Sequence, residues 1–280
     1  MTITVWDGAT EREAAYALWD GTTEHDLTSL GIVPYGYQVI ASMLNDSPFY
    51  IAHRGGSINW PEMSLYAYSQ AVAWGCPALE LSAARTSDGV WIGLHDADLN
   101  RTSGLADGTL PPVSAMTWAQ VQTYQNTAGP GPAQPYARVD EIFATYAGSH
   151  LFFIDVKYAN AFRSEMFALI KQYPGWDRHV MKAFWDSTSF ALGARAAGFR
   201  TWGYYYQNDA PQIGESHVNW DLLGMDYSAN ASAWTLALAP GKPVIGHICP
   251  SAAAATTALS KGATGLMCSG VTQIVPHTGP

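Results

Sequence analysis

Residues 151–157 read Leu-Phe-Phe-Ile-Asp-Val-Lys, an apolar run that closes on an acid and a lysine. A short run without polar alternation is typical of a strand that is buried on both faces, as in a parallel sheet. The segment after it carries Phe162, Met166 and Ile170 at helical spacing, and another apolar run follows at 179–184. The order strand, helix, strand predicts parallel pairing of the two strands.

The same alternation extends along the chain in both directions. The predicted strands are 50–53, 78–81, 151–156, 179–184, 201–205, 222–226, 243–247 and 265–268. Eight such units close into a barrel, and a single barrel of this kind takes about 250 residues. We therefore predict an α/β fold, a TIM (β/α)8 barrel in residues 46–280, with a short N-terminal β extension in residues 1–45.

The N-terminal extension contains a repeat. Residues 5–11 read Val-Trp-Asp-Gly-Ala-Thr-Glu, and residues 18–24 read Leu-Trp-Asp-Gly-Thr-Thr-Glu. Each copy predicts a strand end, a Trp and a tight Asp-Gly turn. The segment resembles the beginning of tail proteins of phages that infect actinobacteria, which implies an anchoring role with other tail proteins as partners. A β-hairpin that decorates the barrel explains the repeat equally well.

Composition excludes several classes of function. Hydrophobic residues make up 48% of the chain and charged residues 13%, with a net charge of −9, so no basic track for nucleic acid is indicated. Cys76, Cys249 and Cys268 are too few and too widely spaced for a disulfide framework or a zinc site. Without a secretory signal or an apolar run of ~18–20 residues to cross a bilayer, we expect a soluble chain. It would be cytoplasmic when made, or in the virion tail if the N-terminal resemblance holds.

Side chains suited to acid–base or phosphate chemistry stand at the ends of the predicted strands. His53 and Arg54 end the first strand, Glu80 lies in the second, and Asp155 and Lys157 end the third. The carboxyl ends of barrel strands meet at one rim, where TIM-barrel active sites are built. We therefore expect these side chains to converge.

A hairpin brings a second histidine to this rim. Residues 88–89 are Asp-Gly, a two-residue turn signal that pairs Ser87 with Val90 and so puts His95 opposite Ser82. Two histidines can share the roles of base and acid near neutral pH. Arg, Lys and a divalent cation stabilise the charge of a phosphoryl transition state. The set therefore predicts cleavage of a phosphodiester.

Seven blocks of sequence, in order, resemble the glycerophosphodiester phosphodiesterase family. They are His53-Arg54-Gly55, Pro61-Glu62-Met63-Ser64, Glu80-Leu81-Ser82, Thr86-Ser87-Asp88-Gly89, His95-Asp96, Leu99-Asn100-Arg101-Thr102-Ser103 and Asp155-Val156-Lys157. The resemblance extends from about residue 50 to residue 270 and implies a TIM barrel. It also implies hydrolysis of glycerophosphodiesters, such as deacylated phospholipids or glycerophosphate-containing envelope polymers.

By position, the resemblance also implies roles for single residues. The acid–base pair would be His53 and His95, and the phosphate contacts would be Arg54 and Lys157. The metal site, for Mg²⁺ or Ca²⁺, would be formed by Glu80 and Asp155 with support from Glu62.

Several positions depart from the pattern of that family. Ser82 stands where the family has Asp, a second metal carboxylate, so we expect a weakened metal site because Ser is neutral. Met63 replaces Asn, and residues 247–250, His-Ile-Cys-Pro, replace Trp-Thr-Val-Asn. Asp96 is expected to stabilise its loop. His247 is expected either to pack in the core or to line the mouth of the site. The aromatic residues at 202–206 form either a wall for a substrate or part of the core.

Two alternatives to an enzyme remain open. The barrel could be a phage tail binding module whose degenerate site recognises envelope phosphodiesters without cleaving them, a reading that Ser82 and the N-terminal repeat motivate. It could also be a structural spacer, although retention of His53, His95 and Lys157 argues against this.

Overall fold

The computed structural model describes residues 3–6, 11–14 and 35–278. Near the N-terminus, β1 (Ile3–Trp6) and β2 (Glu11–Ala14) pair antiparallel, with Trp6 opposite Glu11. The predicted Asp-Gly turn between them and the second copy of the repeat, at 18–24, lie outside the described residues.

Among the described residues, eight parallel strands form a closed barrel. In chain order the strands after β2 are β3 (Phe49–Ala52), β4 (Ala78–Arg85), β5 (Trp91–Gly93), β6 (Gln125–Asn126), β7 (Gln134–Pro135), β8 (Leu151–Val156), β9 (Val180–Phe184), β10 (Arg200–Tyr205), β11 (Leu222–Asp226), β12 (Val244–Cys249) and β13 (Gly265–Cys268). The order around the barrel is β3, β4, β8, β9, β10, β11, β12 and β13, and β13 pairs with β3 to close it. The predicted TIM barrel is confirmed.

Helices connect the strands. They are α1 (Tyr35–Asn45), α2 (Leu65–Trp74), α3 (Trp118–Val121), α4 (Val139–Tyr146), α5 (Arg163–Ile170), α6 (Thr188–Ala196), α7 (Ile213–Ser216), α8 (Ala231–Leu238), α9 (Ala252–Ser260) and α10 (Val271–Ile274). α2 begins where Ser64 Oγ accepts a hydrogen bond from Ala67 N (3.0 Å) and ends at Gly75, whose φ of +97° favours glycine. In the described part of the chain, no helix has the length and apolar character needed to cross a membrane.

The hairpin after β4 differs by one residue from the predicted register. Ser82 lies opposite Leu94, whose N–H donates to Ser82 O (2.9 Å), and not opposite His95. The turn is the cause, because residues 87–89 form a three-residue loop with Gly89 at φ +90° in place of a two-residue turn. His95 therefore lies in the loop that follows β5.

Apolar side chains fill the barrel interior below the rim. Phe153, Trp202 and Met267 belong to one buried cluster inside the barrel, and Ile40 and Met43 of α1 pack in the same cluster. α1 thus closes the amino-terminal end of the barrel. The domain division at residue 45/46 stays a prediction, although the described part of α1 packs with the barrel.

Buried histidines make the folded chain sensitive to acid. His179 precedes β9, is 0% exposed, and its Nδ1 accepts a hydrogen bond from Phe152 N (3.1 Å). Burial, with Arg178 adding to it, lowers the pKa of His179 to about 3. Burial likewise lowers the pKa of His247 to about 4. Both side chains are therefore neutral in the folded protein at neutral pH.

We expect the free energy of unfolding to decrease as the pH falls below the unfolded histidine pKa of about 6.5. The unfolded chain takes up these protons first, so each such histidine destabilises the fold by about 2 kcal/mol between pH 6.5 and 5. Urea unfolding at pH 7, 6 and 5 would measure this. His179→Gln should lower the slope of the free energy of unfolding against pH by the equivalent of one proton taken up on unfolding. The exposed His277→Gln is the matched control. Equal slopes in wild type and His179→Gln would contradict the prediction.

Candidate active site

Three neighbouring strands each contribute one polar side chain to the same row. Ser82 on β4 is in register with Asp155 on β8, and Asp155 is in register with Lys182 on β9. Phe153 and Val180, two residues earlier on β8 and β9, belong to the cluster inside the barrel. Because side chains two apart share one face of a strand, the polar row points into the barrel at its carboxyl end.

Glu80 is the most enclosed charged side chain of this region, with 0% exposure. Its Oε1 accepts from Lys182 Nζ (2.7 Å) and Ser82 Oγ (3.1 Å), and its Oε2 accepts from Arg54 N (2.8 Å). Burial would raise the pKa of this carboxyl, but Lys182, His53 and Arg54 together hold it well below its usual value. Glu80 is therefore an ionised carboxylate with both oxygens engaged.

Asp155 lies between two ammonium groups. Lys157 Nζ is 2.8 Å from Asp155 Oδ2, and Lys182 Nζ is 3.6 Å from the same oxygen. Burial alone would lower the pKa of Lys157, but Asp155 outweighs it and the net shift is upward. Together with Glu80, the centre holds two carboxylates and two ammonium groups, so their charges balance.

His53 follows β3 in a short 3-10 turn, His53–Gly55. The next residue, Arg54, has a φ of +53°, a conformation that costs about 1–3 kcal/mol in a residue other than glycine. Its N–H donates to Glu80 and its carbonyl accepts from Met63 N (3.0 Å), so neighbouring elements fix the turn. Burial lowers the pKa of His53 well below its usual value, and His53 Nδ1 has no hydrogen-bond partner among the described residues.

His95 is oriented by the residue next to it. Its Nδ1 lies 2.8 Å from Asp96 Oδ1, and Arg101 Nε donates to Asp96 Oδ2 (2.6 Å). The hydrogen bond from His95, together with Arg101, holds the pKa of Asp96 well below its usual value although burial opposes this. With Nδ1–H directed to a carboxylate, Nε2 of His95 is left to exchange a proton with a substrate. Asp96 therefore orients a histidine, a role beyond the loop stabilisation predicted for it.

Glu62 lies between two arginines. Its carboxylate accepts from Arg54 Nη1 (3.1 and 3.2 Å) and from Arg101 Nη2 (2.6 Å), and the residue is 4% exposed. Arg101 bonds both Glu62 and Asp96, so this network connects the turn of His53 with the loop of His95.

Three of the predicted residues, His53, His95 and Lys157, line a small cavity of about 30 Å³. Its lining residues are His53, His95, Lys157, Lys182, Trp202, Tyr204, Tyr206, His247, Ile248 and Met267. Glu80 and Asp155 lie behind the two lysines, and the guanidinium of Arg54 is directed to Glu62. A larger cavity of about 410 Å³ lies at the amino-terminal end of the barrel, where Asp46 alone among the described lining residues is charged. The small cavity therefore carries the side chains suited to acid–base and phosphate chemistry, although the cavity at the amino-terminal end is larger.

The side chains expected to bind Mg²⁺ or Ca²⁺ are Glu80 and Asp155, with support from Glu62. Ca²⁺ takes about six to eight oxygen ligands, and Mg²⁺ takes about six, several of them waters. In the part of the chain that the structure describes, no three His, Cys, Asp or Glu side chains are grouped to hold a metal. Both oxygens of Glu80 are engaged, and the Lys182 ammonium lies beside Glu80 and Asp155. At an effective dielectric of 20, a dication 4 Å from that ammonium would be repelled by about 8 kcal/mol. These donors do not fit a divalent cation.

Sequence reasoning missed Lys182 and left other residues undecided. Lys182 interrupts the apolar run 180–184, and a buried cation is costly unless it is paired, so the signal was present. Within 202–206, Trp202, Tyr204 and Tyr206 line the cavity, whereas Tyr205 packs outside the barrel. His247 is buried as predicted, lies 3.0 Å from Tyr205 O through Nε2, and also lines the cavity.

Comparisons with known proteins identify a family. The model of the glycerophosphoryl diester phosphodiesterase family matches residues 53–202. An uncharacterized protein of Bacillus subtilis (strain 168), YqiK, is 28% identical over 154 residues, which are 52% of this chain and 61% of that protein. Glycerophosphodiester phosphodiesterase 1 of Homo sapiens is 46% identical over 59 residues, 21% of this chain and 17% of that protein. The matched segments thus span less than two thirds of these relatives.

Solved structures show the same fold. A phosphodiesterase of Oleispira antarctica, in complex with the product sn-glycerol-3-phosphate, has a TM-score of 0.65 at 18% identity and covers 81% of this chain and 94% of that chain. A glycerophosphodiester phosphodiesterase of Thermotoga maritima has a TM-score of 0.63 at 16% identity and covers 80% of this chain and 95% of that chain. At these identities the likeness concerns the barrel alone.

Proposed function

The chain belongs to the glycerophosphoryl diester phosphodiesterase family, and on that premise we propose that it hydrolyses glycerophosphodiesters with His53 and His95 as the acid–base pair. One observation carries the proposal: the imidazoles of His53 and His95 and the ammonium groups of Lys157 and Lys182 line a single cavity at the carboxyl end of the barrel. The substrate class would be deacylated phospholipids or glycerophosphate-containing envelope polymers.

The proposed reaction involves two proton transfers, one from the nucleophile to a histidine and one from the other histidine to the leaving group. One imidazole removes a proton from the attacking water as its oxygen bonds to phosphorus, and the other protonates the alkoxide whose bond to phosphorus breaks. Lys157, which lines the cavity, contacts the phosphate and stabilises the charge that grows on its oxygens. The family resemblance supports Arg54 as a further phosphate contact, although its guanidinium is bound to Glu62 here. The expected metal ligands, Glu80, Asp155 and Glu62, are assigned no step because their donors do not fit an ion.

The test is product formation from defined substrates. Glycerophosphocholine and glycerophosphoglycerol would be incubated with the protein, with and without Mg²⁺ or Ca²⁺, and product would be followed by ³¹P nuclear magnetic resonance. We expect a phosphomonoester to accumulate. A folded protein that releases none under any of these conditions would overturn the proposal.

A phage tail binding module is the second candidate. The neutral Ser82 and the balanced charges around Glu80 favour it, because a site that only holds a phosphodiester needs no metal. In that case residues 1–45 would contact other tail proteins in the virion. Saturable binding of glycerophosphoglycerol without any product would support this function over hydrolysis.

Asp96→Asn tests whether the orientation of His95 matters for turnover. We expect kcat to fall roughly 10- to 100-fold, because the amide keeps the shape but loses the charge that fixes the ring tautomer. Circular dichroism should be unchanged. A variant with wild-type kcat would contradict the role.

A further inference from the structure

The ammonium group of Lys182 is a cation within this site, and the register of the barrel strands places it there. Lys182 is in register with Asp155, which is in register with Ser82. Its ammonium donates to Glu80 Oε1 at 2.7 Å and lies 3.6 Å from Asp155 Oδ2. One positive group thus contacts both carboxylates to which the family resemblance assigns a divalent ion.

Ser82 also lowers the negative charge of the site relative to the pattern of the family. An Asp at this position would add a third carboxylate beside Glu80 and Asp155 and leave net negative charge for an ion to neutralise. Ser82 instead donates its hydroxyl to Glu80 Oε1 (3.1 Å). With Lys157 on Asp155, the charges of the two acids are already matched by two lysines, so no attraction for a dication remains.

Lys182 also faces the place where a phosphate would bind. It lines the cavity together with His53 and His95, and an ammonium group has three N–H donors. One is directed to Glu80, which leaves others for Asp155 and for a ligand oxygen. The rings of Trp202 and Tyr204 lie 5.7 and 5.5 Å from Nζ, so the charge is surrounded by groups that exclude water and favour a cation.

We propose that Lys182 takes the place of the divalent cation, so that this chain binds the phosphate of its ligand with a fixed ammonium and needs no metal ion. The inference rests on the proposed function for its phosphodiester ligand. In a reaction, the proton movements between His53, His95 and the substrate stay as described, and Lys182 only stabilises charge on the phosphate oxygens.

The first experiment measures metal binding by the full chain, without reference to turnover. After treatment with a chelator and desalting, the protein is titrated with Ca²⁺ and Mn²⁺ in a calorimeter up to about 10⁻³ M, the weak end of protein calcium sites. Wild type is expected to bind neither ion. The double variant Ser82→Asp with Lys182→Gln restores three carboxylates and removes the ammonium, so it is expected to bind Ca²⁺. Lys171→Gln, at an exposed lysine, is the matched control and should behave as wild type.

The second experiment measures phosphate binding and chelator sensitivity. Inorganic phosphate should bind wild type without metal, and Lys182→Gln should bind it about 10- to 100-fold more weakly, the effect of losing one charged hydrogen bond. Hydrolysis, where present, should persist in excess chelator. Circular dichroism checks that each variant is folded, and the wild-type titrations need no variant.

The outcomes separate the two proposals. Three results would each overturn the role of Lys182 without contradicting the proposed hydrolysis. They are specific Ca²⁺ or Mn²⁺ binding by wild type, turnover that requires a metal, and a phosphate affinity of Lys182→Gln equal to that of wild type. If wild type binds phosphate but no metal and shows no turnover, the proposed hydrolysis is wrong. That result would support Lys182 as the cation of a binding site.

Discussion

Replacing either His53 or His95 by Ala is expected to lower kcat roughly 10²- to 10⁴-fold, the contribution usual for a general acid or base. Both side chains line the small cavity, and neither is replaced in its role by another imidazole, since His247 is directed to the Tyr205 carbonyl. KM should change less than kcat, because Lys157 and Lys182 remain to hold the phosphate. Steady-state hydrolysis of glycerophosphoglycerol measures both constants.

The double variant His53→Ala with His95→Ala provides an internal check. Groups that act as one unit are not additive, so the double variant should be about as slow as the slower single variant. His277→Ala, at an exposed position, is the control and should retain wild-type kcat. Losses that multiply in the double variant would indicate that the two histidines act independently.

The barrel could be predicted from sequence because its strands are buried on both faces. Runs such as 151–156 contain few polar residues, and that pattern depends only on local composition. The turn after β4 could not be predicted to the residue. Thr86 Oγ1 bonds both Asp88 Oδ1 (2.6 Å) and Val90 N (2.8 Å), which stabilises a three-residue loop around Gly89 over the two-residue turn that Asp-Gly normally favours.

The sequence predicted that His53, His95 and Lys157 lie together, as they do, but it did not predict Lys182 or the pairing of the buried charges. His53, His95 and Lys157 follow strands or a hairpin and so had to meet at one rim. That Lys182 bonds Glu80, 102 positions earlier in the chain, depends on the relative register of β4, β8 and β9. A strand pattern predicts that each strand exists, whereas the partner of a buried charge is fixed only when all three strands are aligned.

Glu80→Gln is expected to lower the free energy of unfolding by about 3–5 kcal/mol, the usual cost of removing one partner of a buried ion pair. Lys182, at 6% exposure, would have Asp155 as its remaining carboxylate contact among the described residues, and Asp155 already pairs with Lys157 at 2.8 Å. The strained turn at Arg54 would also lose its bond to a charged oxygen. Urea unfolding of wild type and variant measures the difference.

Two further variants show whether the buried charge is the cause. Glu80→Gln combined with Lys182→Gln removes both charges, so it should recover much of the stability lost in Glu80→Gln. Glu165→Gln breaks the exposed pair with Arg85 (2.9 Å, Glu165 side chain 49% exposed) and should cost no more than about 1 kcal/mol. If Glu80→Gln were as mild as Glu165→Gln, the Glu80–Lys182 pair would be hydrated and not a buried ion pair. Lys182 would then not serve as the cation of the site, because a hydrated lysine would leave room for an ion beside Glu80.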